Sequence, residues 1–498
     1  MAAVTLAETI SMEAAAMARG WTEEGLIDAA GERLGLAIGR HFPRPGSAVG
    51  YLGKGHNAAD TLVALRILRD RFGWEISIRT AYRMETCAEL TVRKWAELGS
   101  PAPWEGSVPW RDCRQPLVLL DGLLGSGAAG PLRGPLIPLA HEMADLRRDA
   151  GARVAAVDLP SGIGADSGEI LPDTVTADIT FMIGNAKRGL LHSHAAAATG
   201  ALAVVPVDAL TSTRIGSCEL ISPLALHCGK QPRPFNFHKG MAGRIAILAG
   251  SQAYTGAAAL AAAGALRGGG GLVTLFVPND ARAVVSAKCP PEIIVRGFND
   301  PRELLEFQFD ALAVGCGLGE MTGSAAEGLL DLIAQSPAPT VVDADALNLI
   351  ARSGKTGILG ESHLLTPHPG EFARLAPDLA GLPREDAARQ FTDRVPATLL
   401  LKGSRTLVTR RGQTLWSNAT GSPAMASGGQ GDVLTGVIAA RVAIGDSPVE
   451  AAALGAWLCG RSAEIALSEP HLSEDSLAAS DVLHFLGAAY QDWRSAGR

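Results

Sequence analysis

Along the first half of the chain, apolar residues come in short runs separated by longer stretches where they recur every three or four positions. Ala48–Leu52, Trp74–Thr80, Leu117–Leu120, Val154–Val157, Ile179–Ile183 and Leu202–Val205 are the short runs. Most are continuously apolar, which predicts parallel strands buried on both faces. Asp60–Arg71, carrying Leu62, Leu65, Ile67 and Leu68, and Cys87–Leu98 predict helices between them. The alternation implies an α/β sheet of roughly five to eight strands. Residues 218–237 break the rhythm with Pro223, Pro232, Pro234 and His227, and 223–236 reads as a linker between domains 1–222 and 237–498. A second α/β pattern then restarts. Its strands are expected at Ile245–Leu248, Leu272–Val277, Leu312–Val314, Thr340–Val342, Leu364–Leu365 and Leu399–Leu401. A hairpin follows, with Thr406–Thr409 and Thr414–Trp416 around Arg411-Gly412, and then a long helix from near Gly431 to Ala443.

Composition narrows the class. The 498 residues suit two α/β domains, and 47% apolar content supports large cores. With 44 Lys and Arg against 51 Asp and Glu, the net charge of −7 argues against a nucleic-acid binder. The seven cysteines are scattered and form no C-x-x-C pair, which disfavours a disulfide framework or zinc site and fits a reducing compartment. Ala195–Val207, the longest tempting apolar stretch, is too short to span a bilayer and is broken by Thr199 and Gly200. The N-terminus, with Glu8 and Glu13 ahead of Arg19, does not read as a signal peptide. A cytoplasmic protein is expected.

The most informative segment is Gly428-Gly429-Gln430-Gly431-Asp432, a glycine-rich turn leading into an apolar helix. A helix start offers unpaired N–H groups and the positive end of the dipole, so it suits a phosphate or a developing oxyanion. Asp432 there is placed to act as a general base on a hydroxyl; the other reading is a helix-capping aspartate. Further polar or glycine-rich strand ends accompany it: Lys402-Gly403-Ser404-Arg405-Thr406, His368 and Glu371, Gly315 to Gly319, and Asp343 with Asp345. Strand ends of this kind are where open α/β sheets bind ligands. Gly354-Lys355-Thr356 ends like a Walker A loop, but Leu349 stands where its first glycine belongs.

At these residues the chain resembles a family. His238-Lys239-Gly240, Ala249-Gly250-Ser251, Tyr254-Thr255-Gly256-Ala257-Ala258, Asp343 to Asn348, Thr366-Pro367-His368-Pro369-Gly370-Glu371, Lys402-Gly403 and Gly429-Gln430-Gly431-Asp432 occur in order. Together they resemble the ADP/ATP-dependent NAD(P)H-hydrate dehydratases, ribokinase-like in fold, over roughly 235–490. The resemblance implies transfer of a phosphoryl group from ADP or ATP to the hydroxyl of the (S)-hydrate of NADH or NADPH, followed by elimination. It makes Asp432 the base and lines the hydrate pocket with Ala257, Gly317, Gly319, His368 and Asp432. Lys402, Gly403, Ser404, Arg405, Thr406 and Gly431 would bind the nucleotide, and Glu371 would hold Mg²⁺ through water. The chain departs from the family at Cys316, usually Pro, at Gln430, often Thr, and at Cys459, often His.

In the first half, Asn57, Asp121 and Ser161 fall at or just beyond strand ends and offer hard oxygen ligands apt for an alkali cation, or are three ordinary loop residues. Gly125-Ser126-Gly127-Ala128-Ala129-Gly130 is formally G-x-G-x-x-G, but Pro131 and Pro135 keep a helix from opening on its third glycine. Asp121 to Gly127, Pro131 to Pro135, Asp158 to Gly162 and Lys187-Arg188-Gly189-Leu190 resemble the NAD(P)H-hydrate epimerases, Rossmann-like three-layer domains, over roughly 8–215. The resemblance implies interconversion of the (R)- and (S)-hydrates, NADHX and NADPHX. It assigns K⁺ to Asn57, Asp121 and Ser161, and gives Asp121 a possible share in proton transfer. Hydrate contacts would come from His56, Asn57, Ala58, Ala59 and Asp60, from Gly125, Ser126, Gly127, Ala128, Ala129, Gly130 and Pro131, and from Asp158. The family loop G-N-N-G-G-D-G here reads Gly55-His56-Asn57-Ala58-Ala59-Asp60-Thr61. If that loop needs positive φ, each added Cβ costs roughly 1 kcal/mol.

The resulting expectation is a bifunctional hydrate epimerase and ADP-dependent dehydratase using Mg²⁺ and K⁺. It would act on small molecules, without nucleic acid or membrane, as a homo-oligomer. The competing reading is a ribokinase-like kinase of a small alcohol with a non-catalytic N-terminal module.

Overall fold

The computed structural model describes residues 2–128, 130–210 and 218–495. It divides into two compact units, Met1–Cys218 and Glu219–Arg498. The division falls a few residues before the expected boundary. The proline-rich segment 223–236 is irregular as predicted, but it belongs to the second unit: Leu226 lies in that unit's core, and the Cys228 carbonyl accepts from Trp493 Nε1 at 2.8 Å. No helix among the described residues is long and apolar enough to cross a membrane.

The first unit contains strands β1 (Ala3–Val4), β2 (Ser47–Leu52), β3 (Glu75–Thr80), β4 (Leu117–Gly122), β5 (Arg153–Val157), β6 (Ile179–Ile183), β7 (Ala186–Lys187) and β8 (Ala201–Val205). Six of them form a parallel sheet in the order β3-β2-β4-β5-β6-β8. Strand alternation sends Ala48 and Leu52 into one core, with Leu62, Leu65 and Leu68, and Val49 and Tyr51 into the other, with Leu139 and Met143. The sheet is therefore covered on both faces, as its apolar strands predict. The short pair β1–β7 sets Val4 opposite Lys187, and helix Leu6–Ala18 follows directly.

Helix His56–Phe72 begins earlier than the expected Asp60, and Gly55 caps it without a side-chain hydrogen bond. No Ser, Thr, Asp or Asn marks this start, which is why the sequence conceals it. The consequence corrects one expectation. Ala58, Ala59 and Thr61 are helical, fully buried and absent from the positive-φ residues. Their Cβ atoms pack rather than strain, and Thr61 Oγ1 donates to the Asn57 carbonyl at 2.7 Å. The neighbouring helix Glu23–His41 supplies the room: a Cβ on Gly31 would stand 2.5 Å from Val63 Cβ.

The second unit holds β9 (Cys218–Leu220), β10 (Arg244–Leu248), β11 (Leu272–Pro278), β12 (Ile294–Phe298), β13 (Ala311–Val314), β14 (Thr340–Val342), β15 (His363–Leu365), β16 (Thr398–Leu401), β17 (Thr406–Thr409) and β18 (Leu415–Asn418). Their order is β12-β11-β10-β13-β14-β15-β16-β17-β18-β9. Pairing is parallel from β12 to β16 and antiparallel through the predicted hairpin β17–β18. The two unpredicted strands, β12 and β9, are the sheet's edges, where short and partly polar strands carry the weakest apolar signal. Helix Gln430–Ile444 lies against helix Thr255–Arg267 almost backbone to backbone. A Cβ on Gly436 would meet the Ala261 carbonyl at 2.0 Å, and one on Gly264 the Val433 carbonyl at 2.5 Å. This glycine contact fixes where the helix start, and Asp432, must sit.

Candidate active sites

In the second unit the C-terminal strand ends converge on the start of helix Gln430–Ile444. Gly429 turns the chain with φ +94°. A Cβ on Gly431 would sit 3.3 Å from Lys402 Nζ and 3.8 Å from Asp343 Oδ2, so that position brings a backbone N–H close to a paired cation and anion. Lys402 Nζ pairs with Asp343 Oδ1 at 2.8 Å, and Thr435 Oγ1 donates to Asp343 Oδ2 at 2.7 Å. Burial opposes the Lys402 charge, yet the Asp343 carboxylate holds its pKa above the ordinary lysine value. Asp343 also caps the helix Ala344–Arg352 through the Ala344 N–H at 2.8 Å.

Burial pushes Asp432 up to about 6, helped by Asp343 and opposed by a hydrogen bond from the Cys316 thiol and by Lys402. A carboxylate with that pKa is ionised near neutrality and more basic than an exposed one, which suits a general base. Glu371, also raised by burial, accepts from the His368 N–H at 2.9 Å, and its other oxygen lies 3.3 Å from His368 Nε2. The two form a capping box at helix Pro369–Leu375. The Lys402–Thr406 turn is braced by Arg384, whose guanidinium donates to the carbonyls of Leu401, Lys402 and Arg405. Beside this cluster an open cleft of about 540 Å³ is lined by Tyr254, Gly317, Gly319, Glu320, Asp345, Asn348 and Arg352. Gly317 and Gly319 have φ of +63° and +71°, and a Cβ on Gly317 would press on Ala257 Cβ at 2.7 Å.

The first unit presents a cavity of about 610 Å³ at the ends of β2, β4, β5 and β6. On its wall Asn57 Nδ2 donates to the Leu124 carbonyl at 2.8 Å, while the Leu124 N–H donates to Ser161 Oγ at 2.9 Å. Ser161 in turn donates to Asp121 twice, from Oγ at 2.6 Å and from its N–H at 2.7 Å. Asp121 is wholly buried, and burial lifts its pKa to about 6 against those hydrogen bonds. Across the cavity Asp158, at φ +67°, accepts from Lys187 Nζ at 2.8 Å and from the Ile183 N–H at 3.1 Å. A non-glycine residue held in this region marks a position the surrounding structure enforces.

Comparison with known proteins agrees with this layout. The family model described as NAD(P)H-hydrate dehydratase matches residues 245–484, and that described as YjeF-related protein N-terminus matches 23–189. A protein of Gloeobacter violaceus named bifunctional NAD(P)H-hydrate repair enzyme Nnr is 36% identical over 499 residues, covering 92% of this chain and 94% of its own. Its namesake in Moorella thermoacetica is 33% identical over 496 residues, covering 93% and 91%. The chain belongs to the bifunctional NAD(P)H-hydrate repair enzyme family. Among solved structures, the Bacillus subtilis ADP/ATP-dependent NAD(P)H-hydrate dehydratase co-crystallised with ATP and Mg²⁺ is 27% identical, with a TM-score of 0.46. It covers 53% of this chain and 94% of that one.

Within the repair-enzyme fold, most residues singled out by the sequence do meet. Asp432, Gly431, Lys402 and Glu371 form one cluster, with Ala257, Gly317 and Gly319 around the adjoining cleft. Asn57, Asp121 and Ser161 are linked by the hydrogen bonds given above. His56, Asn57, Asp60, Gly125, Ser126, Gly127, Ala128 and Asp158 line the first cavity.

Four expectations are corrected. Ala58 and Ala59 lie in the helix core rather than on the cavity. Gly130 and Pro131 are exposed and do not line it, and Ala129 lies outside the described residues. Asp121 stands behind the cavity wall with both oxygens engaged, so a place in proton transfer at the hydrate ring does not follow from its position. Arg405 is only 4% exposed, which turns its guanidinium into the fold and leaves its backbone for the turn.

Other site residues carry little signal in the sequence. Lys187 belongs to the Lys187-Arg188-Gly189-Leu190 motif, but its spacing alone gives it no role, and Glu13 reaches the cavity because its helix is anchored by the β1–β7 pairing, by the Leu6 N–H on Asp166 and by the packing of Ala16. Asp345 is one of the strand-end residues the sequence singles out, whereas Tyr254, though part of a family-like motif, is placed on the cleft only by the fold.

Proposed function

We propose that the second unit dehydrates the (S)-hydrate of NADH or NADPH at the expense of ADP or ATP, and that the first unit interconverts the (R)- and (S)-hydrates. The observation that carries the dehydratase reading is the joint placement of Asp432, Gly431 and the Lys402–Asp343 pair at one helix N-terminus. Hydroxide leaves poorly and phosphate leaves well. The ionised Asp432 takes the proton of the hydrate hydroxyl as the hydroxyl oxygen attacks the terminal phosphorus of the nucleotide, and the bridging P–O bond breaks with its electron pair leaving on AMP, or on ADP when ATP is the donor. The helix N-terminus and Lys402 balance the charge on the phosphoryl oxygens; the C–O bond then breaks with its electron pair leaving on phosphate as the ring nitrogen forms C=N⁺, and loss of a proton from the adjacent ring carbon to the departing phosphate restores the dihydronicotinamide. Gly403 to Thr406, held rigid by Arg384, offer backbone and hydroxyl groups to the nucleotide.

Bound Mg²⁺ would supply charge neutralisation on the phosphates. The Glu371 carboxylate fits that ion through water, because His368 already engages both of its oxygens. The oxygen donors of Asn57, Asp121 and Ser161 fit K⁺, and a buried carboxylate raised to about 6 is the charge a monovalent cation would satisfy. The test of the dehydratase reading is incubation with NADPH hydrate and ADP. Regenerated NADPH supports it, and accumulation of a stable phosphorylated alcohol would favour a small-molecule kinase. For the epimerase reading, the full chain should consume pure (R)-hydrate faster than the spontaneous background; equality with background would retire it.

A further inference from the structure

Epimerisation in the first cavity needs a proton donor, and Asp121, the carboxylate that the family resemblance favours for proton transfer, sits behind its wall. Asp60 does line the cavity, one turn into the helix that starts at His56. Its Oδ1 is buried and has no hydrogen-bond partner. Of the other carboxylates that line the cavity, one is paired and one is exposed. Asp158 is held by Lys187 and the Ile183 N–H, and Lys187 also donates to the Ile183 carbonyl at 2.8 Å. Glu13, the remaining carboxylate on the wall, is an exposed residue. A carboxyl oxygen buried without a partner is costly unless a ligand or a proton satisfies it.

The hydrate is an enamine to which water has added, so its hydroxyl sits on the ring carbon bonded to nitrogen. We propose that Asp60 is a catalytic residue of hydrate epimerisation, the proton donor to that hydroxyl. The inference rests on the epimerase reading above. The Asp60 proton passes to the hydroxyl oxygen, and the C–O bond breaks with its electron pair leaving on water. The nitrogen lone pair forms C=N⁺, giving a planar cation opposed by the new Asp60 carboxylate. Water adds to the other face, the C=N pair returns to nitrogen, and the proton shed by that water restores the Asp60 carboxyl. The cycle consumes nothing but the water it returns.

Burial raises the Asp60 pKa well above the ordinary carboxylate value. Asp158 and Glu13 add to the effect, and Lys187 opposes it. The donor form is therefore full at low pH, persists beyond the usual carboxylate range and is lost as pH rises through the raised value.

The test uses the full chain with pure (R)-hydrate, alongside (S)-hydrate and ADP as a control carried by the other unit. D60N is expected to lower kcat for epimerisation by at least about 100-fold with KM within about threefold, while (S)-hydrate dehydration is kept. D60N epimerising within about threefold of wild type, or raising KM alone, would overturn the assignment. The wild-type pH profile is a second test, one that does not depend on the variant folding. Above about 6, where Asp121 is ionised for its cation, epimerisation should decline as pH rises, and a rate that climbs with pH in that range would contradict Asp60 as donor. Wild-type protein no faster than background would instead overturn the epimerase reading itself.

Discussion

Both units gather their chemistry at the C-terminal ends of parallel strands, and they treat charge in opposite ways. The second unit assembles an ionic network. Lys402 is locked to Asp343, Asp343 is held by Thr435 and the Ala344 N–H, and Asp432 stands beside them at about pKa 6. The first unit seals carboxyl groups into a cavity wall: Asp121 behind Ser161, and Asp60 with an unpartnered oxygen. Phosphoryl transfer calls for charges fixed before the nucleotide arrives, because positioning and neutralisation dominate it. Moving a proton on and off a ring hydroxyl calls instead for an acid that burial keeps protonated beyond the usual carboxylate range, as at Asp60, while Asp121, at about 6, keeps a charge for the cation. One chain thus carries two uses of the same strand-end geometry.

The contrast can be broken most severely at Asp432. D432N should lower dehydration by about 1,000-fold or more while nucleotide affinity, read by calorimetry, stays within about threefold; retained turnover would remove Asp432 as base. K402M should abolish dehydration and also lower the second unit's stability by about 3–5 kcal/mol, because it strands the buried Asp343 carboxylate. A thermal melt indistinguishable from wild type would show that the pair is not holding the site together. Replacing K⁺ by Li⁺ should slow epimerisation by about tenfold and leave dehydration of the (S)-hydrate unchanged, since the small cation fits the Asn57, Asp121 and Ser161 donors poorly. Equal epimerisation rates in the two salts would sever the cation from the first unit.

The pH dependence sharpens the comparison further. Asp432 must be ionised to act, so kcat/KM for dehydration should be flat above about 6 and fall about tenfold per unit below it. Epimerisation should instead decline as pH rises above that range, as the Asp60 proton is lost. The smallest expected effect is at the substituted helix start: A58G and A59G should each cost about 1 kcal/mol of stability and bring no gain in epimerisation. A faster epimerase with glycines there would restore the idea of an impaired loop.

Much of this was legible in the chain because parallel strands buried on both faces write continuous apolar runs, and because glycine-rich strand ends stand out beside them. The C-terminal cluster was readable for a further reason: Gly431, Lys402 and Asp432 are residue types tied to phosphate chemistry wherever strand ends meet. The start of helix His56–Phe72 was not readable, since Gly55 caps it without a side chain, and so Ala58 and Ala59 looked like strained loop residues. Glu13 was equally hidden, because its helix is brought to the cavity by long-range contacts, the pairing of Ala3 with Ala186 and Val4 with Lys187 and the Leu6 N–H on Asp166 among them. Burial is what separates Asp121 from Asp60, and a one-dimensional pattern carries no record of which carboxylate ends up behind the wall.

The most direct measurement follows (S)-NADPH hydrate and ADP with the purified full chain, monitoring NADPH absorbance and the fate of the phosphate together. Dehydration through a phosphate ester yields one AMP and one inorganic phosphate for each NADPH restored. NADPH restored with ADP intact, or ADP consumed with the phosphate retained on an alcohol, would contradict it.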